Sequence, residues 1–182
     1  MMRRVAFGKG LAAGALGAVA WEAAARVLLA AGAPIFDLVR TLGTLVVGDA
    51  AASAWWPVGM LLHAAVGAIW AIFYAYFFWC VFDWPPTVQG LVFALLPATL
   101  AGLVMLPEMA LMHPLILAGS LPAPGTFAVG LGWPGPATVL GGHLVYGAVL
   151  GTLYTRPVGY RTARGRRRTP AVTPALSGEG PP

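Results

Sequence analysis

Gly142-His143-Leu144-Val145-Tyr146-Gly147-Ala148-Val149-Leu150-Gly151-Thr152-Leu153-Tyr154 contains four residues, His143, Gly147, Gly151 and Tyr154, that echo an earlier apolar stretch. There the corresponding residues are His63, Gly67, Ala71 and Tyr74. Steps of four, eight and eleven residues return to one face of a helix with about 3.6 residues per turn. Each stretch therefore reads as a helix with the same stripe along one side. The two stripes lie 80 residues apart, and the same offset aligns Gly10-Leu11 with Gly90-Leu91, Leu16 with Leu96, Ala18 with Ala98 and Pro34 with Pro114. A recurrence of this kind predicts a degenerate duplication of a two-helix unit.

Composition decides the solvent. Hydrophobic residues make up 59% of the 182-residue chain, charged residues only 9%, and the mean hydropathy is +0.79. A soluble domain of this length cannot hide so much apolar surface in one core. Four apolar runs, at about 5–31, 58–82, 88–112 and 137–155, approach or exceed the roughly 20 residues that cross a bilayer. The expected fold is all-α, an integral membrane four-helix bundle of two tandem helical hairpins occupying residues 1–156. Both hairpins run the same way, so they would be parallel repeats about an axis along the membrane normal.

The net charge of +5 does not point to nucleic acid, because the basic residues form no face of a folded domain. Arg3 and Arg4 precede the first run, Lys9 lies near its start, and Arg156, Arg161, Arg164, Arg166, Arg167 and Arg168 follow the last. The positive-inside rule then puts both termini in the cytoplasm of a plasma (inner) membrane protein, in accord with an even number of spans. Residues 157–182 lose apolar periodicity and read as a disordered basic tail held near anionic headgroups. The single cysteine, Cys80, permits no internal disulfide and no cysteine-based zinc site. The apolar N-terminal segment also fits a cleaved signal peptide. Its match to the third span at the repeat offset favours a retained helix.

The connections carry their own signals. Residues 32–57 alternate Ile35, Phe36, Leu38, Val39, Leu42, Leu45 and Val46 with Asp37, Arg40 and Asp49, a pattern for a short amphipathic helix in the first outer loop. Trp55 and Trp56 at one end of the second span, and Tyr74, Tyr76, Phe77, Phe78, Trp79, Phe82 and Trp84 at the other, read as interfacial belts. Pro97 and Pro107 remove backbone donors from the third span and predict kinks. The Gly- and Pro-rich loop from His113 to Pro136 lacks Lys, Arg, Asp and Glu and is expected to dip against the outer mouth of the bundle.

Intramembrane polar residues are costly and mark candidate sites. His63 and His143 sit at similar depth toward the outer leaflet, joined by Glu108, Glu22 and Arg26. Glu22 and Arg26 are spaced to pair on one helix face, and Arg26 is near enough to a span end to snorkel. Three chemistries fit the histidines. Two imidazoles with Gly67 and Gly147 beside them suit haem. His63 and His143, or His113, with the thioethers of Met60, Met105, Met109 or Met112 suit copper. His63, His143 and Glu108 suit a proton-linked transport path. The competing structural account is helix packing through the stripe Gly67, Ala71, Tyr74, Gly147, Gly151 and Tyr154. In that account the protein is a structural or assembly subunit of a membrane complex or a homo-oligomer, its partners being the lipid bilayer and other helices. Enzyme chemistry is not indicated: the sequence has no Gly-x-Ser-x-Gly and no His-Glu-x-x-His, and no phosphate-binding loop.

The Gly142-His143 to Tyr154 motif, together with a histidine at position 63 of the second span, resembles an uncharacterised family of small bacterial four-helix inner-membrane proteins of unknown function. The resemblance covers the layout from about Ala6 to Tyr154. It implies an inner-membrane protein and transfers no catalytic residue. The proline-rich outer loop and the arginine-rich tail depart from that family's layout.

Overall fold

In a computed structural model, residues 5–48, 52–79, 81–82 and 84–155 are described. Arg3, Arg4, Asp49, Cys80 and the basic tail lie outside the described residues. Helix α1 runs Phe7–Ala30 and stops at Gly32, whose φ of 78° turns the chain. Asp37 then caps α2, Leu38–Val47, by accepting the Arg40 N–H at 2.9 Å. A side-chain acceptor at this position satisfies a backbone donor that the helix itself cannot. Helix α3 spans Trp55–Phe73 and continues in a π-helical turn, Tyr74–Phe78.

The third span begins with Pro86 in its first turn, where a missing N–H costs nothing. It comprises α4, Pro86–Leu100, a π-helical turn, Ala101–Met105, and α5, Leu106–Met112. The widened turn lies between Pro97 and Pro107, so the helix absorbs two missing donors by loosening its register. A single turn, α6, Pro114–Leu117, and a 3₁₀ segment, Thr126–Leu131, lead to α7, Pro134–Leu153. Among the described residues every regular element is helical.

Four helical stretches, Phe7–Ala30, Trp55–Phe78, Pro86–Met112 and Pro134–Leu153, are long and apolar enough to cross a membrane. The second begins at Trp55 instead of 58 and ends at Phe78 instead of 82, because Trp79 takes an extended backbone (ψ 131°). Its N–H closes the π-helical turn on the Tyr74 carbonyl at 2.7 Å. Within an apolar 18-residue stretch of each span, only 33–39% of the residues are buried by the protein itself. The remainder present residues such as Leu61, Ile69, Leu96, Leu103 and Leu111 outward, a lipid-compatible exterior. Trp56 and Trp133 are exposed at one end of the bundle, Tyr76, Phe77 and Trp84 at the other.

The helices stand in the order α3, α1, α7, α4. The described chain ends meet: the Ala6 N–H donates to the Tyr154 hydroxyl at 3.2 Å, and Lys9 Nζ donates to the Thr155 carbonyl at 3.3 Å. This is the terminal end; α2, α6 and the 3₁₀ segment cover the opposite, loop end. Helix α2 docks on α3 because Gly43 lies on the Trp55 backbone and Gly59 on the Val39 carbonyl. The long loop folds back, seating Phe127 on Gly102 and Ala128 on Gly135. Phe127 and Ala128 adopt positive φ, 50° and 59°, a strained conformation for side-chain-bearing residues. Burial of Ala128 with Leu106 and Val139 offsets it.

Lipid tails are as apolar as leucine, so helices associate by close van der Waals contact instead of a hydrophobic drive. Glycine supplies that contact twice. Gly14 of α1 lies on the Gly67 carbonyl and the Ala71 methyl, and Gly90 of α4 lies on the Gly147 carbonyl and the Gly151 backbone. The packing counterpart of Gly90 is thus Gly14, one helical turn from the Gly10 aligned by sequence. In Gly90→Leu, a side chain would have to enter the α7 backbone. The variant should lose stability by at least about 1–3 kcal/mol, the usual cost of overpacking, whereas Gly141→Leu, with nothing within 4 Å of the new Cβ, should unfold at nearly the wild-type temperature. Thermal unfolding in detergent compares the two.

Candidate functional site

His63 of α3 and His143 of α7 are both buried and both touch one indole, that of Trp21 from α1. The ring centroids lie 4.9 Å from Trp21 for His63, edge-on, and 4.5 Å for His143, tilted. Trp21 reaches this position because residue 142 is glycine: a Cβ there would overlap the indole. His143 Nδ1 lies 2.8 Å from the Val139 carbonyl. A carbonyl only accepts, so Nδ1 carries the proton and Nε2 is left as an acceptor. His63 Nδ1 is buried without a hydrogen-bond partner. One turn further toward the terminal end, the Tyr146 hydroxyl donates to the Gly67 carbonyl at 2.7 Å and the ring covers Gly17.

Below this level the two stripes are packing surfaces. Gly67, Ala71, Tyr74, Gly147, Gly151 and Tyr154 are all buried. The Tyr74 and Tyr154 rings meet edge-on, centroids 6.0 Å apart, and Tyr74, Trp70 and Phe78 all contact Phe93 of α4. Helices α3 and α4 are therefore bridged by aromatic rings at the terminal end. Toward the loop end a cleft of about 260 Å³ lies between them. Its walls are Val66 and Trp70 from α3 and Pro97, Leu100 and Val104 from the third span; Trp21, His63, His143 and Tyr146 reach it from deeper in the bundle. Glu108 also borders it, exposed, with no ion pair or hydrogen bond among the described residues.

The other sequence candidates separate from this centre. Arg26 joins Glu22 through Nε and Asp37 through both terminal nitrogens, at 3.0 and 2.7 Å. It also lies over Trp55, 5.9 Å from the ring centroid. Glu22 and Arg26 thus tie α1 to the cap of α2 and do not border the cleft. His113 is fully buried. Its Nδ1 accepts from the Leu115 N–H at 3.2 Å, which leaves Nε2 protonated, 3.0 Å from the Thr41 carbonyl and 3.2 Å from the Thr44 hydroxyl. It fastens α2 to the α5–α6 corner and has no lone pair to give a metal. Met109 is buried with Ile116 and Leu121, and Met112 points outward; only Met105 reaches the cleft.

These positions bear on the cofactors expected from sequence. For haem, the indole of Trp21 is already packed against each imidazole, at 4.9 Å and 4.5 Å between ring centroids. The proposed copper ligands Met109, Met112 and His113 are not assembled with His63 and His143. Among the described residues no three His, Cys, Asp or Glu side chains form a group that could hold a metal ion, while Met105 borders the cleft with His63 and His143.

Trp21 itself was absent from the sequence candidates. It carried a signal nonetheless, as the one aromatic residue between Phe7 and the end of the first span. Taken together, the four apolar helices are compatible with a multi-pass integral membrane protein. No known protein family, curated protein or solved structure matches the chain.

The Asp37 carboxylate has two duties, capping α2 and holding Arg26. Asp37→Ala should cost about 1–2 kcal/mol, most of it from the cap, because the ion pair is partly open to solvent and correspondingly weak. Asp37→Asn keeps a capping oxygen and should cost less. Thermal unfolding of both variants tests this order.

Proposed function

We propose that the protein is a non-enzymatic binding protein of the plasma (inner) membrane, whose site is the cleft between α3 and the third span, at the depth of His63 and His143. In this reading the loop end faces outward, both termini are cytoplasmic, and the site lies toward the outer leaflet. The observation that carries it is the cleft itself: two buried histidines and an exposed carboxylate border a space otherwise walled by apolar and aromatic side chains. Polar groups at membrane depth that are not used up in packing are the usual mark of a ligand or ion path. The gap lies between two helices, so the ligand enters sideways from the bilayer.

The matching contacts of Gly14 with Gly67 and of Gly90 with Gly147 support an ancestral duplication of one hairpin, with the histidines kept at the level where the halves face each other. This layout agrees with the small four-span inner-membrane family that the sequence resembles. The alternative, a structural subunit of a membrane complex, draws on the glycines of the stripe. Those glycines meet helices of the same chain, which leaves little of the stripe for a partner.

A trifluoromethyl-phenyldiazirine photoprobe tests the site on full-length protein in lipid nanodiscs. Labelling should concentrate on Val66, Trp70 and Val104 and fall several-fold in Leu100→Trp, which fills the cleft, while the lipid-facing Leu61 is labelled equally in both proteins. Labelling spread evenly over lipid-facing residues and indifferent to Leu100→Trp would overturn the assignment. Reporter fusions at the two termini should both register as cytoplasmic; an external signal at either terminus would reverse the orientation.

A further inference from the structure

The charges around the cleft point to a ligand class. Taking the cleft as the binding site, we infer that it receives a small organic cation, an amine or quaternary ammonium on a compact apolar body, with Glu108 as its counter-charge. Among the described residues Glu108 is the only charged side chain that borders the cleft, and no Lys or Arg does. The guanidinium of Arg26, which does not border the cleft, is held by Glu22 and Asp37. Among the described residues the carboxylate thus lies at the mouth of an apolar space without a cation partner, an arrangement that a positively charged ligand complements. An anion would meet repulsion there, and a neutral hydrocarbon would leave the carboxylate unpaired.

The aromatic walls favour the same class. Trp21, Trp70 and Tyr146 all contribute to the cleft, and aromatic rings attract cations most strongly where water is excluded. Nε2 of His143, left as an acceptor by the bond to Val139, suits a protonated amine. Val66, Pro97, Leu100 and Val104 take the apolar part. The 260 Å³ available is slightly below the roughly 300–1,000 Å³ of pockets for drug-sized ligands, so the body is of the order of one ring.

The test uses full-length protein in zwitterionic nanodiscs, titrated with benzyltrimethylammonium and with its uncharged carbon analogue, neopentylbenzene, followed by tryptophan fluorescence and calorimetry. The cation should bind saturably and at least about tenfold more tightly than the analogue. Glu108→Gln should bring the two affinities together, Glu108→Asp should restore part of the difference, and Leu100→Trp should remove binding of both. In Val104→Lys an internal cation competes at the same place, so the loss should fall on the ammonium compound. Equal affinity for the two compounds in wild type, unchanged in Glu108→Gln, would overturn the cation assignment and leave the cleft as an apolar site. Failure of both compounds to bind folded wild-type protein would overturn the cleft as a site.

Discussion

Close backbone contact at glycine is the constraint on which the rest of this bundle depends. In hydrocarbon, burying a leucine between helices gains little over leaving it in lipid. Adhesion comes instead from the short distance at which Gly14 meets Gly67 and Gly90 meets Gly147. These two contacts hold each hairpin together, while Tyr146, lying on Gly17 and bonded to the Gly67 carbonyl, joins one hairpin to the other. With the terminal half so tightly closed, any space must open elsewhere. It opens toward the loop end, where two prolines and a π-helical turn loosen the third span.

Polar side chains within the spans divide into those used to build and those left over. Arg26 links Glu22 to the Asp37 cap, His113 is held by Thr41, Thr44 and Leu115, and Thr138 bonds back to the Pro134 carbonyl of its own helix. Each such group has its hydrogen bonds within the protein, as a low-dielectric surrounding demands. His63 and Glu108 do not follow that pattern. The proposed site draws on this remainder: His63 packs against Trp21 yet keeps a buried nitrogen without a hydrogen-bond partner, as does Oε1 of Gln89 elsewhere in the third span.

The repeated stripe itself has two uses along one face. Its glycines and tyrosines are consumed by contact between helices; its histidines share the indole of Trp21. Periodicity could show that these residues lie on one face, but it assigns no depth-dependent role. The one-turn difference between the Gly10–Gly90 sequence match and the Gly14–Gly90 packing match arises for the same reason: small residues recur every turn in α1, and only the partner helix selects among them.

Much was legible in the sequence. Composition and run length determined a four-span helical chain, because hydropathy over about 20 residues is a local property. The aromatic ends of the spans, the strain-prone prolines of the third span, the inward return of the Gly- and Pro-rich loop and the common depth of His63 and His143 were local as well. Tertiary structure decided which faces meet: that Trp21 packs against both histidines over Gly142, that Arg26 turns to Asp37, that His113 is locked to α2, and that among the described residues Glu108 alone supplies charge to the cleft. Such pairings join residues from different spans. They depend on helix order and on the loosening of one helix by its prolines, so no local pattern in the chain specifies them.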